Sequence, residues 1–311
     1  MSEIKRVGVV GGGLIGASWA ALFTAGGIDV VAWDPDAHAR TLFRDRVKAA
    51  RRQLAQLGRR GRGKLKVVAR LKAAIAEADL IQENAPEKLD LKHRLFADIL
   101  RMAKPQATIA SSTSSFAWSA LTEGMQDPSR LIVSHPFNPP HLVPLVELYG
   151  TDPLRVQQAA DFYEAMGKVT IRMKREAPGH VANRLASALW REAVHIVAEG
   201  IADVGDVDKA LVEGPGLRWS IQGAHMTYHL GGGEGGIRHY LDHLGPSQEK
   251  RWAALGNPSL TSEVKDAIVQ GVLEEAAGRS LAELGAERDA ALIDTLRQRA
   301  KRRRSQKPNV A

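Results

Sequence analysis

Two groups of residues in this 311-residue sequence have the types and spacing to do chemistry. The first is Gly11-Gly12-Gly13-Leu14-Ile15-Gly16, which follows the apolar run Val7–Val10 and opens a helical pattern at Ile15, Trp19, Leu22 and Phe23. In that context Gly11 permits a tight turn, Gly13 lets backbone approach a pyrophosphate, and Gly16 lets helix pack on strand. The helix start at Leu14 and Ile15 presents unpaired N–H groups and a positive dipole end to phosphates. Asp34 lies eighteen residues past Gly16, at the end of a second strand (Val30–Trp33). A carboxylate there accepts hydrogen bonds from ribose hydroxyls and repels a 2′-phosphate, so NAD is expected over NADP. Arg40, the nearest basic residue, works against that preference. No Lys-Ser/Thr follows Gly16, which rules out a P-loop.

The second group is His135 and, twelve residues later, Glu147. An enzyme that removes a hydride from an alcohol needs a base for the hydroxyl proton. A carboxylate beside a histidine fixes its tautomer and stabilises the imidazolium formed on proton uptake. Taken alone, the same pair also suits a buried structural histidine, and the spacing does not decide between them. There is no cysteine. That excludes disulfides, thiolate metal sites and a cysteine nucleophile, and it fits a reducing, cytoplasmic setting. His225/His229 and His239/His243 have helical i,i+4 spacing, but neither pair encloses the Glu of a zinc-peptidase motif. No metal is expected.

These groups need a framework. Strands are expected at Val7–Val10, Val30–Trp33, around Leu80-Ile81, at Ala107–Ser111 and at Leu131–Ser134, with weaker signals at Val143–Leu148 and Val169–Ile171. Helices alternate with them: one after the glycine turn, a long basic one over Ala37–Gly58, a shorter one after an Arg/Gly loop, and Asp90–Ala103. This alternation indicates a parallel sheet covered by helices. Past Pro178-Gly179 the strand signal fades, and long helices are expected over Val181–Glu199, Val264–Ala277 and Leu281–Arg302, with Gly231–Gly236 as a flexible turn. The expected organisation is therefore an α/β, Rossmann-like dinucleotide-binding domain over 1–177 and an all-helical domain over 178–311.

Composition narrows the class. Apolar residues make up 44% and charged residues 25%, an ordinary globular balance. No apolar stretch approaches the ~18–20 residues of a membrane span, and the first residues lack the pattern of a signal peptide. The formal charge is +8. Five basic residues fall in Arg59–Lys66 and five in Lys301–Lys307, neither segment containing an acid, so the rest of the chain is close to neutral. The two segments read as a solvated loop and a frayed terminus. Without interleaved aromatics they do not suggest a nucleic-acid partner, and no membrane partner is expected.

The chain resembles the 3-hydroxyacyl-CoA dehydrogenase superfamily over nearly its full length. The resemblance rests on the glycine turn, Glu83-Asn84-Ala85-Pro86-Glu87, Ser111-Ser112-Thr113-Ser114-Ser115, His135–Asn138, Pro144-Leu145-Val146-Glu147, and Pro178-Gly179 with Asn183-Arg184-Leu185. It implies that His135 is a general base partnered by Glu147, that Ser114 and Asn183 hold the substrate oxygen, and that Glu87, Lys92 and Asn138 contact NAD. It also implies a homodimer formed by the helical domain. Ser112 departs from the Asn of many acyl-CoA members.

Within the superfamily, Ala188–Glu192, Gly214–Trp219 and Arg238-His239-Tyr240 resemble the branch that oxidises L-carnitine. Arg218 also matches the gulonate dehydrogenase and lambda-crystallin branch. Both branches take free 3-hydroxy acids, and a planar guanidinium suits a carboxylate. Arg218 is thus expected to bind the substrate carboxylate. Trp190, Trp219, Phe137 and Tyr228 are expected to face a trimethylammonium group. The alternatives are a 3-hydroxyacyl-CoA substrate, with Arg59–Lys66 meeting its phosphates, and an L-gulonate dehydrogenase or lambda-crystallin-like protein.

Overall fold

In the computed structural model the described residues are 4–305. Eight strands form one sheet: β1 (Arg6–Val10), β2 (Asp29–Trp33), β3 (Leu65–Val68), β4 (Leu80–Glu83), β5 (Thr108–Ser111), β6 (Leu131–Pro136), β7 (Leu145–Tyr149) and β8 (Val169–Arg172). Their spatial order is β3-β2-β1-β4-β5-β6-β7-β8. All neighbouring pairs are parallel except β6 with β7. The chain leaves β1 toward β2 on one side, while β4 flanks β1 on the other. This reversal opens a crevice at the carboxyl ends of the strands, where α/β sheets bind ligands.

The helices interleaved with the strands are α1 (Leu14–Ala25), α2 (Ala37–Gln56), α3 (Leu71–Ile75), α4 (Leu89–Met102), α5 (Trp118–Thr122) and α6 (Pro153–Ala165). α1 is buried on every side from Gly16 to Ala25, which is why it has no polar stripe. It anchors one core cluster, in which Trp19 stacks on Phe23 at 5.3 Å and meets Tyr163. α2 turns Phe43, Val47, Ala50 and Leu54 inward at helical spacing, and Asp36 caps its start by accepting the His38 and Ala39 N–H groups. Leu95, Phe96 and Ile99 of α4 fill a second core cluster with Ile75, Ile81 and Ile109.

The rest is helical: α7 (Ala182–Ala198), α8 (Val204–Glu213), α9 (Pro215–Trp219), α10 (Ala224–Gly231), α11 (Gly236–Ala254), α12 (Ser262–Ala276) and α13 (Leu281–Ser305). Two compact units result. One runs through Arg184 and resumes at Ala286; the other is Leu185–Gly285. Arg297 in α13 donates to the Gln56 carbonyl, and Gln53 donates to the Asp289 carboxylate, so the last helix packs with the first unit. No helix among the described residues is long and apolar enough to cross a membrane.

Three expectations are corrected. β3 was not foreseen. Leu65-Lys66-Val67-Val68 is an edge strand pairing in parallel with β2, and the preceding Arg/Gly run masks its β-branched signal. Arg59–Lys66 is also not a simple solvated loop. Gly61 and Gly63 N–H donate to the Ala25 and Thr24 carbonyls, Lys64 N–H donates to Asp29, and Arg59 donates to the Met166 carbonyl. The C-terminal basic run is not frayed at its start, since Lys301 and Arg302 belong to α13; its last two residues, Gln306 and Lys307, lie outside the described residues.

Candidate active site

The glycine turn lies at the carboxyl end of β1, in the crevice. Gly11 has φ +101°, and a Cβ there would meet the Asn84 carbonyl oxygen at 2.6 Å. A Cβ on Gly16 would lie 2.0 Å from the Gly11 carbonyl oxygen. Gly13 is different: a Cβ there would meet no atom of the chain within 4 Å. Its missing side chain makes room for something other than protein. It also serves as the N-cap of α1 without a side-chain cap, so the first N–H groups of Leu14, Ile15 and Gly16 remain available. Leu14 is exposed and Ile15 half-buried. Open space beside free N–H groups at a helix start fits a pyrophosphate.

Asp34 ends the β2 side of the crevice. Its carboxylate accepts the Gly12 N–H at 2.6 Å and the Asp36 N–H at 2.9 Å, tying the acid to the glycine turn. Arg40 donates to the Asp34 and Pro35 carbonyls, so its guanidinium is occupied by backbone. This arrangement suits a ribose diol.

His135 lies on β6 and Glu147 on β7, directly opposite each other in the antiparallel register. That register, closed by the loop over 137–144, explains the twelve-residue spacing. His135 Nδ1 is 2.7 Å from Glu147 Oε2, and both side chains are buried. Glu147 Oε1 accepts the Val181 and Ala182 N–H groups at 2.9 and 3.0 Å, at the start of α7. Burial works to raise the Glu147 carboxyl, but the His135 hydrogen bond and these two N–H groups outweigh it and hold the carboxyl below its ordinary value. The ionised acid makes Nδ1 the protonated nitrogen. Nε2, which has no partner among the described residues, is left as the acceptor.

The serine-rich segment after β5 is held by Glu87. One carboxylate oxygen accepts from the Thr113 hydroxyl, the Ser114 N–H at 2.9 Å, and the Ser115 N–H and hydroxyl at 3.1 Å. Burial again opposes ionisation, but the Thr113 hydroxyl, the Lys92 ammonium and the two N–H groups hold Glu87 below its ordinary value. Lys92 is buried and directed at protein: its ammonium meets Glu83 at 2.8 and 3.0 Å and Glu87 at 3.3 Å. Asn183 donates to the Ser114 carbonyl at 3.2 Å, while Asn138 is exposed. Ser112 accepts from Trp19 and Gln82 and donates to Asn84, so this departure from the family pattern is absorbed by a polar network.

His180 was missed. It is buried, has φ +53°, packs its ring 4.9 Å from that of His135, and places Nε2 3.2 Å from the Thr113 carbonyl. Burial, then His135, pushes its pKa down. The only sequence signal is a histidine following Pro178-Gly179. Gln82 was missed as well, and Glu83 appears in the sequence only as part of a matching motif; both are buried, and the Gln82 amide links Ala110, Ser112 and Ser134.

The expected substrate residues are distributed. Phe137 meets His135 edge-on at 5.3 Å. In the helical unit, Tyr228 packs on Tyr240 at 5.0 Å. Trp190 and Trp219 are exposed, and neither has an aromatic neighbour among the described residues. Arg218 is exposed near the end of α9 and has no carboxylate partner among the described residues. No group of three or more His, Cys, Asp or Glu among the described residues is arranged to hold a metal ion.

Two family models match: "3-hydroxyacyl-CoA dehydrogenase, NAD binding domain" over residues 6–177 and "3-hydroxyacyl-CoA dehydrogenase, C-terminal domain" over 179–260. The chain is 48% identical over 301 residues to an L-carnitine dehydrogenase of Streptomyces griseus, covering 95% of this chain and 90% of that protein. It is 42% identical over 302 residues to one from Pseudomonas putida, covering 95% and 94%. Among solved structures, an NAD+-dependent dismutase, 5-formyl-3-hydroxy-2-methylpyridine 4-carboxylic acid 5-dehydrogenase, matches with a TM-score of 0.82 and 26% identity, covering 94% of this chain and 98% of that one.

Proposed function

The chain belongs to the 3-hydroxyacyl-CoA dehydrogenase family of NAD-dependent oxidoreductases, and from that premise we propose that it oxidises the 3-hydroxyl of L-carnitine to 3-dehydrocarnitine. The near full-length likeness to relatives named L-carnitine dehydrogenase carries the choice of substrate.

In this reading His135 Nε2 accepts the hydroxyl proton. Glu147 keeps Nδ1 protonated before the reaction and stabilises the imidazolium after it, itself held ionised by the start of α7. Such a base is worth ~10²–10⁴-fold in rate. Bound NAD supplies the acceptor for the hydride leaving the same carbon. The Ser114 hydroxyl and the Asn183 amide hold the substrate oxygen, and Glu87 with Lys92 fixes the loop that carries Ser114. Lys92 thus acts as a positioning residue. Asn138 contacts the cofactor.

Arg218 takes the substrate carboxylate; a guanidinium without a carboxylate partner supports this role. Trp190, Trp219, Tyr228 and Phe137 offer aromatic faces to the trimethylammonium, each worth about 0.5–2 kcal/mol. The enzyme is taken to be a cytoplasmic homodimer. In Leu185–Gly285 only Val194 and Tyr240 are buried hydrophobics, whereas Leu185, Trp190, Leu230, Trp252 and Leu273 are all more than half exposed. A second copy covering that surface supplies the missing burial; a monomer mass in sedimentation equilibrium would refute it. A 3-hydroxyacyl-CoA substrate is the competing reading, favoured by the exposed Arg60, Arg62 and Lys64. NADH formation at 340 nm from L-carnitine tests the proposal, and no signal with NAD bound would reject it.

A further inference from the structure

A cavity of about 510 Å³ lies within the first unit, apart from the glycine turn and the His135–Glu147 pair. Its lining includes Arg59, Lys168, Arg297, Arg299 and Lys301, and among the described residues it includes no Asp or Glu. Arg297 is paired with Asp294 and the Gln56 carbonyl. Lys168 and Arg59 are satisfied differently. Lys168 is 6% exposed, and its ammonium donates to the Pro140 and Val143 carbonyls at 2.5 Å each. Arg59 donates to the Met166 and Gly167 carbonyls, and its guanidinium fills the space a Cβ on Gly167 would need. Neither has a carboxylate within ion-pairing distance among the described residues.

Buried charges are normally paired, because carbonyl dipoles only partly replace lost hydration. Burial, with the like charge of Arg59 second, pushes the Lys168 ammonium down to about 7. The ammonium lies among two carbonyls and 5.1 Å over the Trp19 ring, with no carboxylate beside it among the described residues. The remaining walls are mostly apolar, with Leu57, Leu142 and Leu296 among them, and Gln56 and His141 add two polar side chains. The volume far exceeds one inorganic anion, a water taking about 30 Å³.

We propose that this cavity is a binding site for a small organic phosphate monoester, with the dianion between Lys168 and Arg59 and the apolar body against Leu57, Leu142 and Leu296. Two cations, the buried Lys168 and the half-buried Arg59, match a doubly charged head better than a single carboxylate, and the leucines give the ester carbon skeleton a contact that free phosphate lacks.

Calorimetric titration of the full chain with phenyl phosphate at fixed ionic strength tests this. Saturating NAD keeps the glycine turn filled. The expected result is one site per chain, with phenyl phosphate bound more tightly than orthophosphate. Lys168→Met should weaken it by about tenfold or more, and Lys301→Glu, a change at the exposed rim, should also weaken it. NAD affinity should be unaltered in both variants. Absence of saturable binding would overturn the proposal. So would orthophosphate binding as tightly as phenyl phosphate, or unchanged affinity in both variants.

Discussion

Replacing Glu147 by Gln keeps the shape of the side chain and removes its charge. In the native structure one oxygen faces His135 Nδ1 at 2.7 Å and the other accepts the Val181 and Ala182 N–H groups. A glutamine has only one acceptor oxygen. If its NH₂ faced the start of α7, it would oppose two donors, so the amide oxygen stays there and the NH₂ turns to His135. Nδ1 must then accept, which moves the ring proton to Nε2 and leaves no base toward the substrate. The expected loss in kcat is about 10²–10⁴-fold. A charge-assisted hydrogen bond is lost in a buried site, costing about 1.5–3 kcal/mol of stability. The pH dependence has a defined sign. The folded carboxyl lies below its ordinary value, so the unfolded state binds more protons between the two values. The stability from Glu147 is therefore complete above the ordinary value and lost as pH falls through the folded one. The difference in unfolding free energy between native and Gln proteins should shrink on acidification. NADH formation with L-carnitine and urea unfolding at several pH values measure both effects. A Gln variant within about threefold of native kcat, with NAD binding intact, would refute the tautomer argument.

Gly13→Ala should leave stability within about 0.5 kcal/mol of native, since no atom of the chain contests the new Cβ and φ is −69°. NAD should nonetheless bind about tenfold or more weakly; fluorescence titration giving native affinity would contradict the reading of that space. Arg218→Ala should raise KM for L-carnitine by about 10- to 150-fold, the equivalent of a charge-assisted contact, while NAD affinity is kept; an unchanged KM would exclude the carboxylate role. Lys168 lies below its ordinary value when folded, so between about 7 and 10.5 the unfolded state holds the extra proton and stability rises with pH. Thermal unfolding of Lys168→Met should lose that rise, and a parallel pH profile would refute the assignment.

The cofactor half of the site was legible because its requirements are local. Gly11, Gly13 and Gly16 are backbone constraints written in consecutive residues, and Asp34 marks the end of the adjacent strand. The chemical half was legible only as a pair of residue types. What brings His135 to Glu147 is the reversal of β7, and the sequence signal for Val143–Leu148 is weak. β3 was hidden by the basic run before it. His180 meets His135 across 45 residues of chain, through a positive-φ conformation that its residue type does not announce. Lys92 was expected at the cofactor, yet its ammonium is taken up by Glu83 and Glu87; only the fold shows which oxygens lie nearest. The basic run around Arg59 reads as a solvated loop, but the Arg59 guanidinium turns inward to the Met166 carbonyl.

The central claim, a free 3-hydroxy acid oxidised by NAD with His135 as base, is tested most directly by one comparison. The kcat/KM of the purified enzyme is measured at 340 nm with L-carnitine, with L-gulonate and, in the reverse direction, with acetoacetyl-CoA. The account predicts NADH formation from L-carnitine at the highest kcat/KM of the three. Turnover of acetoacetyl-CoA alone would contradict it.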